Sequence, residues 1–270
     1  MYNSALPSAT LPTVDPDETR FGVAGDWHGN WRFAIWKMEE FEREGIKTIF
    51  QLGDFGIWPG PSGDEYLGKI RKALEDFGQT LYVTLGNHED YDQVDALEPD
   101  KIGLRWPRHN IALFPRPFWF NLNGMRVLSL GGAPSIDFQW RVPQKEWWPQ
   151  EMLTDEQADK AIAGGYVDIM LAHDAPEHGT QAVQTIIDGN IGGWDAEARS
   201  YAAIGRNRMT RVVQAVKPSV FLHGHYHVAD SGWLKYNDDQ AAAIHSLGTD
   251  GFPRNTGILD LANIYNLERV

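Results

Sequence analysis

Cysteine is absent from this chain of 270 residues. Its absence excludes disulfide bonds, thiolate metal ligands and a cysteine nucleophile, although it does not identify the cellular compartment. Long hydrophobic runs are absent too: no stretch approaches the ~18 apolar residues of a membrane-spanning helix, so we expect no membrane partner. The segment MYNSALPSATLP carries neither the basic nor the apolar part of a secretory signal. The expected location is therefore cytoplasmic.

Positive charge is scarce, because 24 Lys and Arg stand against 37 Asp and Glu, for a formal net charge of −13. Proteins that bind long nucleic acids usually carry a basic stripe, since neutralising phosphates drives their affinity. No such stripe occurs here, so a long nucleic acid is not an expected partner. The acidic excess is compatible with divalent cations, because two M²⁺ ions offset about four negative charges. The sequence leaves the oligomeric state open.

Short apolar runs that end abruptly in polar residues recur along the chain. They occupy residues 20–25, 47–52, 81–85, 168–172 and 219–222. Runs of this length bounded by Gly predict buried strands, and the amphipathic patterns at residues 31–44, 65–77 and 197–216 predict helices. Further strand-like runs flank Asn123-Gly124, which is a hairpin signal.

This alternation predicts an α/β fold, specifically an αββα four-layer sandwich in which two mixed β-sheets are flanked by helices. We expect a flexible arm at residues 1–18, which is rich in Pro, Ser and Thr, followed by a single domain at residues 19–270.

The residues that follow these predicted strands are of the types that bind metal ions. The motifs are Asp26-Trp27-His28, Gly53-Asp54, Gly86-Asn87-His88-Glu89, a lone His173, and Gly224-His225-Tyr226-His227. Asp-x-His is common by chance, whereas the motifs around Asn87 and His225 are scarce. In α/β sheets, ligands gather at the carboxyl ends of strands, where all these motifs are predicted to lie. His223 is interpreted as structural, and His109, His178 and His245 have no motif context.

In this order, the motifs resemble those of the calcineurin-like metallophosphoesterase superfamily. The stretch from Gly131 to Asp137, followed by Trp147-Trp148-Pro149, resembles its bacterial and phage members. The resemblance implies that one metal ion is held by Asp26, His28, Asp54 and His227. It implies that a second is held by Asp54, Asn87, His173 and His225, with Asp54 bridging. It gives His88 a separate catalytic role, in which the imidazole steadies or protonates the departing oxygen. Glu89 and Asp174 either orient a neighbouring ligand or are surface residues.

The ligand types indicate which ions fit. Carboxylate and amide oxygens combined with imidazole nitrogens suit Mn²⁺, Fe, Zn²⁺ or Ni²⁺, and we expect a pair of Mn²⁺ ions. Two ions held ~3.5–4 Å apart lower the pKa of a shared water and supply a bridging hydroxide nucleophile.

The sequence after Asp54 departs from one branch of the superfamily. Phe55-Gly56 stands where the protein Ser/Thr phosphatases have an Asp-Arg-Gly sequence, so their phosphate-binding arginine is missing. This departure argues against a protein phosphatase and leaves a small phosphodiester or phosphomonoester as the substrate. Of these we expect small phosphodiesters, with cyclic nucleotides among the candidates. A phosphomonoesterase and a nuclease acting on short strands stay open, and a non-catalytic scaffold of the same fold is a third hypothesis.

A second distinctive stretch, residues 131–149, is rich in Gly and Trp. We expect it to border the metal site, with Arg141 pairing with a phosphate or with Asp137. Trp58 and three tryptophans of this stretch either stack on a nucleobase or pack the loop onto the body. Arg141, Asp137 and Trp58 are therefore the candidate substrate-binding residues.

Overall fold

The computed structural model describes residues 11–14 and 17–269, except for the side chain of Arg269. Its first sheet contains β1 (Arg20–Ala24), β2 (Thr48–Gln51), β3 (Thr80–Val83), β4 (Arg105–Arg108), β5 (Ile111–Leu113), β12 (Thr256–Asp260) and β13 (Leu267–Arg269). Its second sheet contains β6 (Phe118–Leu122), β7 (Met125–Leu130), β8 (Ile169–Ala172), β9 (Val220–His223), β10 (Asp230–Lys235) and β11 (Ala241–Ser246). The helices are α1 (Trp31–Arg43), α2 (Gly60–Phe77), α3 (Tyr91–Asp95), α4 (Asp155–Ala163), α5 (Gln181–Gly189) and α6 (Ala196–Val216), with 3₁₀ turns at Phe138–Trp140 and Pro149–Glu151.

Both sheets have a parallel centre and antiparallel edges. The strand order of the first is β13-β12-β1-β2-β3-β5-β4, in which β1, β2, β3 and β5 are parallel. The order of the second is β10-β11-β9-β8-β7-β6, in which β11, β9, β8 and β7 are parallel. Because parallel strands end at the same edge of a sheet, the loops after β1, β2 and β3 lie together, as do those after β8 and β9.

Three apolar clusters separate the layers. The central cluster lies between the sheets, where Phe50, Phe114 and Phe120 pack with ring centroids 5.1–6.4 Å apart. A second cluster joins the first sheet to α1 and α2, and a third joins the second sheet to α4 and α6. The predicted αββα sandwich of two mixed sheets is confirmed.

Local sequence explains several element boundaries. Asn123 and Gly124 have φ angles of +48° and +92° and close the β6–β7 hairpin, which is the left-handed turn that an Asn-Gly pair favours. Helix α2 begins at Gly60, five residues before the predicted start, because Pro61 is tolerated in the first turn, where its missing N–H has no helical acceptor. The predicted strands also divide between the sheets: residues 111–113 join the first, whereas 118–122 join the second.

The segment predicted as an arm is partly described. Residues 1–10 and 15–16 lie outside the described residues. Val14 is buried, and its N–H donates to the Asn121 carbonyl (3.1 Å), so residues 12–14 are held against β6. Within the described part of the chain, no helix combines the length and apolar character of a membrane span.

Candidate metal centre

The polar residues that follow the central strands converge between the two sheets. Two groups of ligand atoms, each within 4.8 Å of one another, occur among the described residues: Asp26, His28, Asp54 and His227, and Asp54, His173 and His225. Asp54 belongs to both groups. Asn87 adjoins the second, because its Oδ1 lies 3.0 Å from His173 Nε2. The structure therefore brings together all seven residues named from the sequence, in the two sets that the resemblance implies.

The backbone of this cluster is held in an uncommon conformation. His28, Asp54, His225 and His227 have φ angles of +43°, +54°, +70° and +56°. Non-glycine residues rarely adopt this left-handed region, and when they do they are concentrated at functional sites. The tight turns after the strands direct these side chains toward a common centre.

Two glycines of the site lie so close to the aspartate side chains that no larger residue would fit. A Cβ atom on Gly86 would lie 2.3 Å from Asp54 Oδ1, and one on Gly224 would lie 2.2 Å from Asp26 Oδ1. Both distances are far below van der Waals contact, so a side chain at either position would displace the aspartate. This explains physically why the Asn-His and His-x-His motifs each begin with Gly.

The two aspartates are buried and hydrogen-bonded to the backbone. Asp54 Oδ1 accepts from the N–H groups of Asn87 and His88, both at 2.9 Å. Asp26 accepts from the His225 N–H at 3.1 and 3.2 Å. Burial alone would raise the pKa of Asp54, but the imidazoles of His173 and His88 hold it well below its ordinary value. Asp54 is therefore a carboxylate at neutral pH.

Hydrogen bonds fix which nitrogen each histidine presents. His173 Nδ1 lies 2.6 Å from the Leu52 carbonyl, which can only accept, so Nδ1 carries the proton and Nε2 faces the cluster. His28 Nδ1 lies 3.0 Å from the carboxylate of Asp250, so its Nε2 also faces inward, 3.4 Å from Asp54 Oδ2. Orientation by a carbonyl or carboxylate at the far nitrogen is characteristic of metal-binding histidines.

The electrostatics of the cluster favour a cation. Burial lowers the pKa of His28 and His173, but the neighbouring carboxylates outweigh it and raise the two pKa values to about 9 and about 10. Raised histidine pKa values indicate a negative electrostatic potential at the site. Divalent ions bind the same nitrogen lone pairs as protons, so this potential also favours metal binding. The donor set of carboxylates, imidazoles and one amide therefore fits divalent transition-metal ions.

Comparison with known proteins agrees with this geometry. The sequence matches the family described as calcineurin-like phosphoesterase over residues 19–229. The chain belongs to the calcineurin-like phosphoesterase family. It is thus a hydrolase of the metallophosphoesterase superfamily, with a cluster of His and Asp able to bind metal.

Solved structures share the fold of this phosphoesterase at low sequence identity. A protein of Thermus thermophilus is 11% identical, with a TM-score of 0.55, over 93% of this chain and 98% of that one. A dimetal phosphatase from Danio rerio is 14% identical, with a TM-score of 0.49, over 90% of this chain and 92% of that one. At 11% identity, the similarity to the Thermus thermophilus protein shows the common fold alone. No curated protein matched the sequence.

His88 lies beside the cluster and belongs to neither ligand group found among the described residues. Its Nε2 is 3.9 Å from Asp54 Oδ2. Arg141 Nη1 lies 3.1 Å from His88 Nδ1, and Arg141 Nη2 lies 3.1 Å from His88 Nε2, so the guanidinium contacts both ring nitrogens. Burial and the Arg141 charge outweigh the attraction of Asp54 and lower the pKa of His88, so the phosphoesterase has a neutral imidazole here.

The candidate substrate-binding residues have different surroundings. Arg141 Nε donates to Asp137 Oδ1 at 2.7 Å, so the expected pairing with Asp137 is present. Trp58 is 37% exposed, and its Nε1 donates to the His88 carbonyl at 3.0 Å. Trp148 is buried and Trp147 Nε1 donates to Glu151, so these two indoles pack the loop onto the body.

Glu89 and Asp174 are buried rather than at the surface. Glu89 accepts from the N–H groups of Phe55 (2.6 Å), Gly56 (3.2 Å) and Gly86 (2.5 Å), which joins the loop of Asp54 to the loop of Asn87. Burial raises the pKa of both carboxyl groups to about 7. His223 is buried as well, and burial lowers its pKa to about 4, in agreement with its structural interpretation.

Sequence reasoning missed three residues that support the site. Asp250 holds His28, as described above. Ser135 Oγ accepts from Asn87 Nδ2 at 3.0 Å and donates to the buried carboxylate of Glu151 at 2.8 Å. Asp250 follows the strand-like run at residues 241–247, so the pattern of polar residues at strand ends would have found it. No sequence pattern marks Glu151.

Proposed function

We propose that this calcineurin-like phosphoesterase hydrolyses small phosphodiesters with the help of two divalent ions, Mn²⁺ first among them. The single observation that carries the proposal is the sharing of Asp54 between two groups of ligand atoms. Asp26, His28 and His227 would complete one site, and Asn87, His173 and His225 the other. When bound, such ions neutralise phosphate oxygens and lower the pKa of bound water.

His88 assists the departing ester oxygen. Because its pKa is lowered, the ring is neutral at pH 7 and offers one N–H as a hydrogen-bond donor. Arg141, in contact with both ring nitrogens, adds positive charge where negative charge builds on that oxygen. Asp137 holds the Arg141 side chain in this position.

The charge around the site favours a diester over a monoester. A monoester carries a second negative charge at neutral pH and needs more cationic contacts. Phe55-Gly56 supplies no arginine after Asp54, and Arg141 is already shared with Asp137 and the Glu146 carbonyl. A monoanionic diester is therefore the better match, with cyclic nucleotides in this class.

The test compares bis-p-nitrophenyl phosphate with p-nitrophenyl phosphate in Mn²⁺, together with metal analysis of the wild type and Asp54→Asn. We expect two Mn²⁺ per chain, faster turnover of the diester, and loss of both metal and turnover in Asp54→Asn. A protein that binds metal and prefers the monoester would be a phosphomonoesterase. Absence of turnover with every divalent ion tested would refute the enzymatic proposal.

A further inference from the structure

A cavity of about 550 Å³ opens directly beside the candidate ligands His225 and His227. Its walls come from the end of α5, the loop that follows it, the first half of α6, and Ile136. A volume in this range accommodates a small organic molecule, whereas a phosphate group alone needs far less space.

The walls of the cavity are mainly apolar. They carry four isoleucines, one indole and several alanines: Ile136, Ile186, Ile187, Ile191, Trp194, Ala196, Ala202 and Ala203. Two polar side chains of the wall are already engaged. The Asn190 side chain bonds the backbone N–H and carbonyl of Trp194, both at 3.0 Å, and Arg206 Nε donates to Glu177 at 2.8 Å. Arg199, Ser200 and Tyr226 add polar groups to the lining, so the apolar walls can bury the face of a ring while a few polar groups remain for its edge.

The loop that contributes Ile136 to the cavity wall also carries Trp140, which contacts Trp194 from outside the cavity lining. Trp140, 74% exposed, lies with its ring centroid 5.1 Å from that of Trp194, at an interplanar angle of 34°. The 3₁₀ turn Phe138–Trp140 lies between Asp137 and Arg141 in the chain. The hydrogen bond from Arg141 to Asp137 across this turn holds the guanidinium beside His88. One loop thus borders both the cluster and the mouth of the cavity.

The wall is also preorganised. Asn190 ends α5 in the left-handed conformation (φ +43°), and its two bonds to the Trp194 backbone close the loop. A preformed wall reduces the entropy that a ligand loses on binding. Since those bonds involve backbone atoms of residue 194, replacing the indole leaves the loop closure intact.

We infer that this cavity binds the organic group of the phosphodiester substrate, and that this group is a planar aromatic ring of about nucleobase size. The inference rests on the proposed function, because the cluster at one end of the cavity holds the phosphate. Stacking on an indole and burial among isoleucines recognise the face of any such ring.

The kinetic test uses three esters that share nitrophenolate as the leaving group: thymidine 5′-p-nitrophenyl, hexyl p-nitrophenyl and methyl p-nitrophenyl phosphate, all in Mn²⁺. Trp194→Ala removes the stacking surface, and Ala203→Phe fills the cavity from α6. Ile204→Phe is the matched control, because Ile204 is the next residue of α6, is 45% exposed and lies outside the cavity lining.

We expect the thymidine ester to have the lowest KM. Trp194→Ala and Ala203→Phe should raise that KM roughly 5- to 150-fold, the range that stacking of one base supports, whereas Ile204→Phe should not. An equal rise for all three esters would place the nitrophenyl ring in the cavity, which supports an aromatic occupant. An effect confined to the hexyl ester would overturn the aromatic assignment. Unchanged KM values in both cavity variants would overturn the binding site itself.

Calorimetry separates this inference from the proposed function. Thymidine 5′-monophosphate and methyl phosphate are titrated into the Mn²⁺-loaded wild type and into the same variants. Tighter binding of the nucleotide, lost in Trp194→Ala and Ala203→Phe, supports the cavity even if no ester is hydrolysed. Equal affinity for both ligands refutes the cavity even if hydrolysis is fast.

Discussion

Ser135→Ala tests whether the orientation of the Asn87 amide is imposed from outside the metal cluster. Glu151 is fully buried and accepts from the Ser135 N–H at 2.5 Å, the Ser135 hydroxyl at 2.8 Å and Trp147 Nε1 at 2.8 Å. Above pH 7, where Glu151 is mainly ionised, its carboxylate can only accept, so the Ser135 hydroxyl donates to it. Ser135 Oγ must then accept from Asn87, which turns Nδ2 toward Ser135 and Oδ1 toward His173.

The size of the effect follows from what the substitution leaves unpaired. Loss of the Ser135 hydroxyl removes one neutral and one charge-assisted hydrogen bond, and it leaves the Asn87 amide N–H buried without an acceptor. We expect the metal-free protein to lose about 2–4 kcal/mol of unfolding free energy. Because the amide is then free to rotate, Mn²⁺ affinity at the site containing Asn87 should fall roughly 10- to 100-fold, the usual cost of losing a group that orients a ligand.

The assay combines calorimetric Mn²⁺ titration with urea unfolding of the metal-free protein. Ser129→Ala is the matched control, because Ser129 of β7 is fully buried and its hydroxyl is hydrogen-bonded to Thr84 Oγ1, directly after β3 of the other sheet, at 2.9 Å. The control should lose stability and keep both Mn²⁺ affinities. If Ser135→Ala lost stability to a similar extent and bound both ions within about twofold of wild type, the orienting role of Ser135 would be refuted.

Three further predictions concern neighbouring groups. Asp250→Ala removes the partner of His28 Nδ1 and should weaken Mn²⁺ binding at that site roughly 10- to 100-fold by calorimetry; unchanged affinity would contradict it. His88→Ala should slow diester turnover about 10²- to 10⁴-fold while metal analysis still finds two ions, and a metal-depleted variant would make His88 a ligand. Burial raises the pKa of Glu151 to about 7, so its contribution to stability is complete below pH 4.5 and is lost as the pH rises through 7. Glu151→Gln should therefore gain up to roughly 3 kcal/mol relative to wild type between pH 4.5 and pH 8 in urea unfolding, and a constant difference would count against an ionising Glu151.

The sequence was sufficient to predict the candidate ligands because each lies next to a signal that local physics makes visible. Asp26, Asp54 and His173 closely follow short apolar runs bounded by Gly or polar residues, a pattern that predicts buried strands. The parallel direction of those strands then brings their carboxyl ends together. The strands and their direction thus predict where the motifs meet, whereas the division into two ligand sets, and the choice of His173 in particular, came from the family resemblance.

The two edge strands of the first sheet could not be predicted from local sequence patterns. Strand β4 has the sequence RWPR, with a proline, and β13 is LER, so neither has apolar alternation. Their place in the sheet depends on pairing with strands distant in sequence. Glu151 was missed for the same reason, since its role is created by contacts with Ser135 and Tyr201, 16 and 50 residues away.

Backbone strain at the candidate ligands explains why the site contains more buried polar groups than the ligands themselves. His28, Asp54, His225 and His227 each occupy the left-handed region, at a cost of roughly 1–3 kcal/mol per residue. The turns persist because the carboxylates of Asp54 and Asp26 bind backbone N–H groups of the opposing loops, and because Glu89 binds three more. The carboxylates near the cluster thus have two separate roles. Asp26 and Asp54 belong to the candidate ligand groups, whereas Glu89, Glu151 and Asp250 hold loops or side chains in place. Substitutions in the second set should therefore alter metal affinity without removing a single ligand atom.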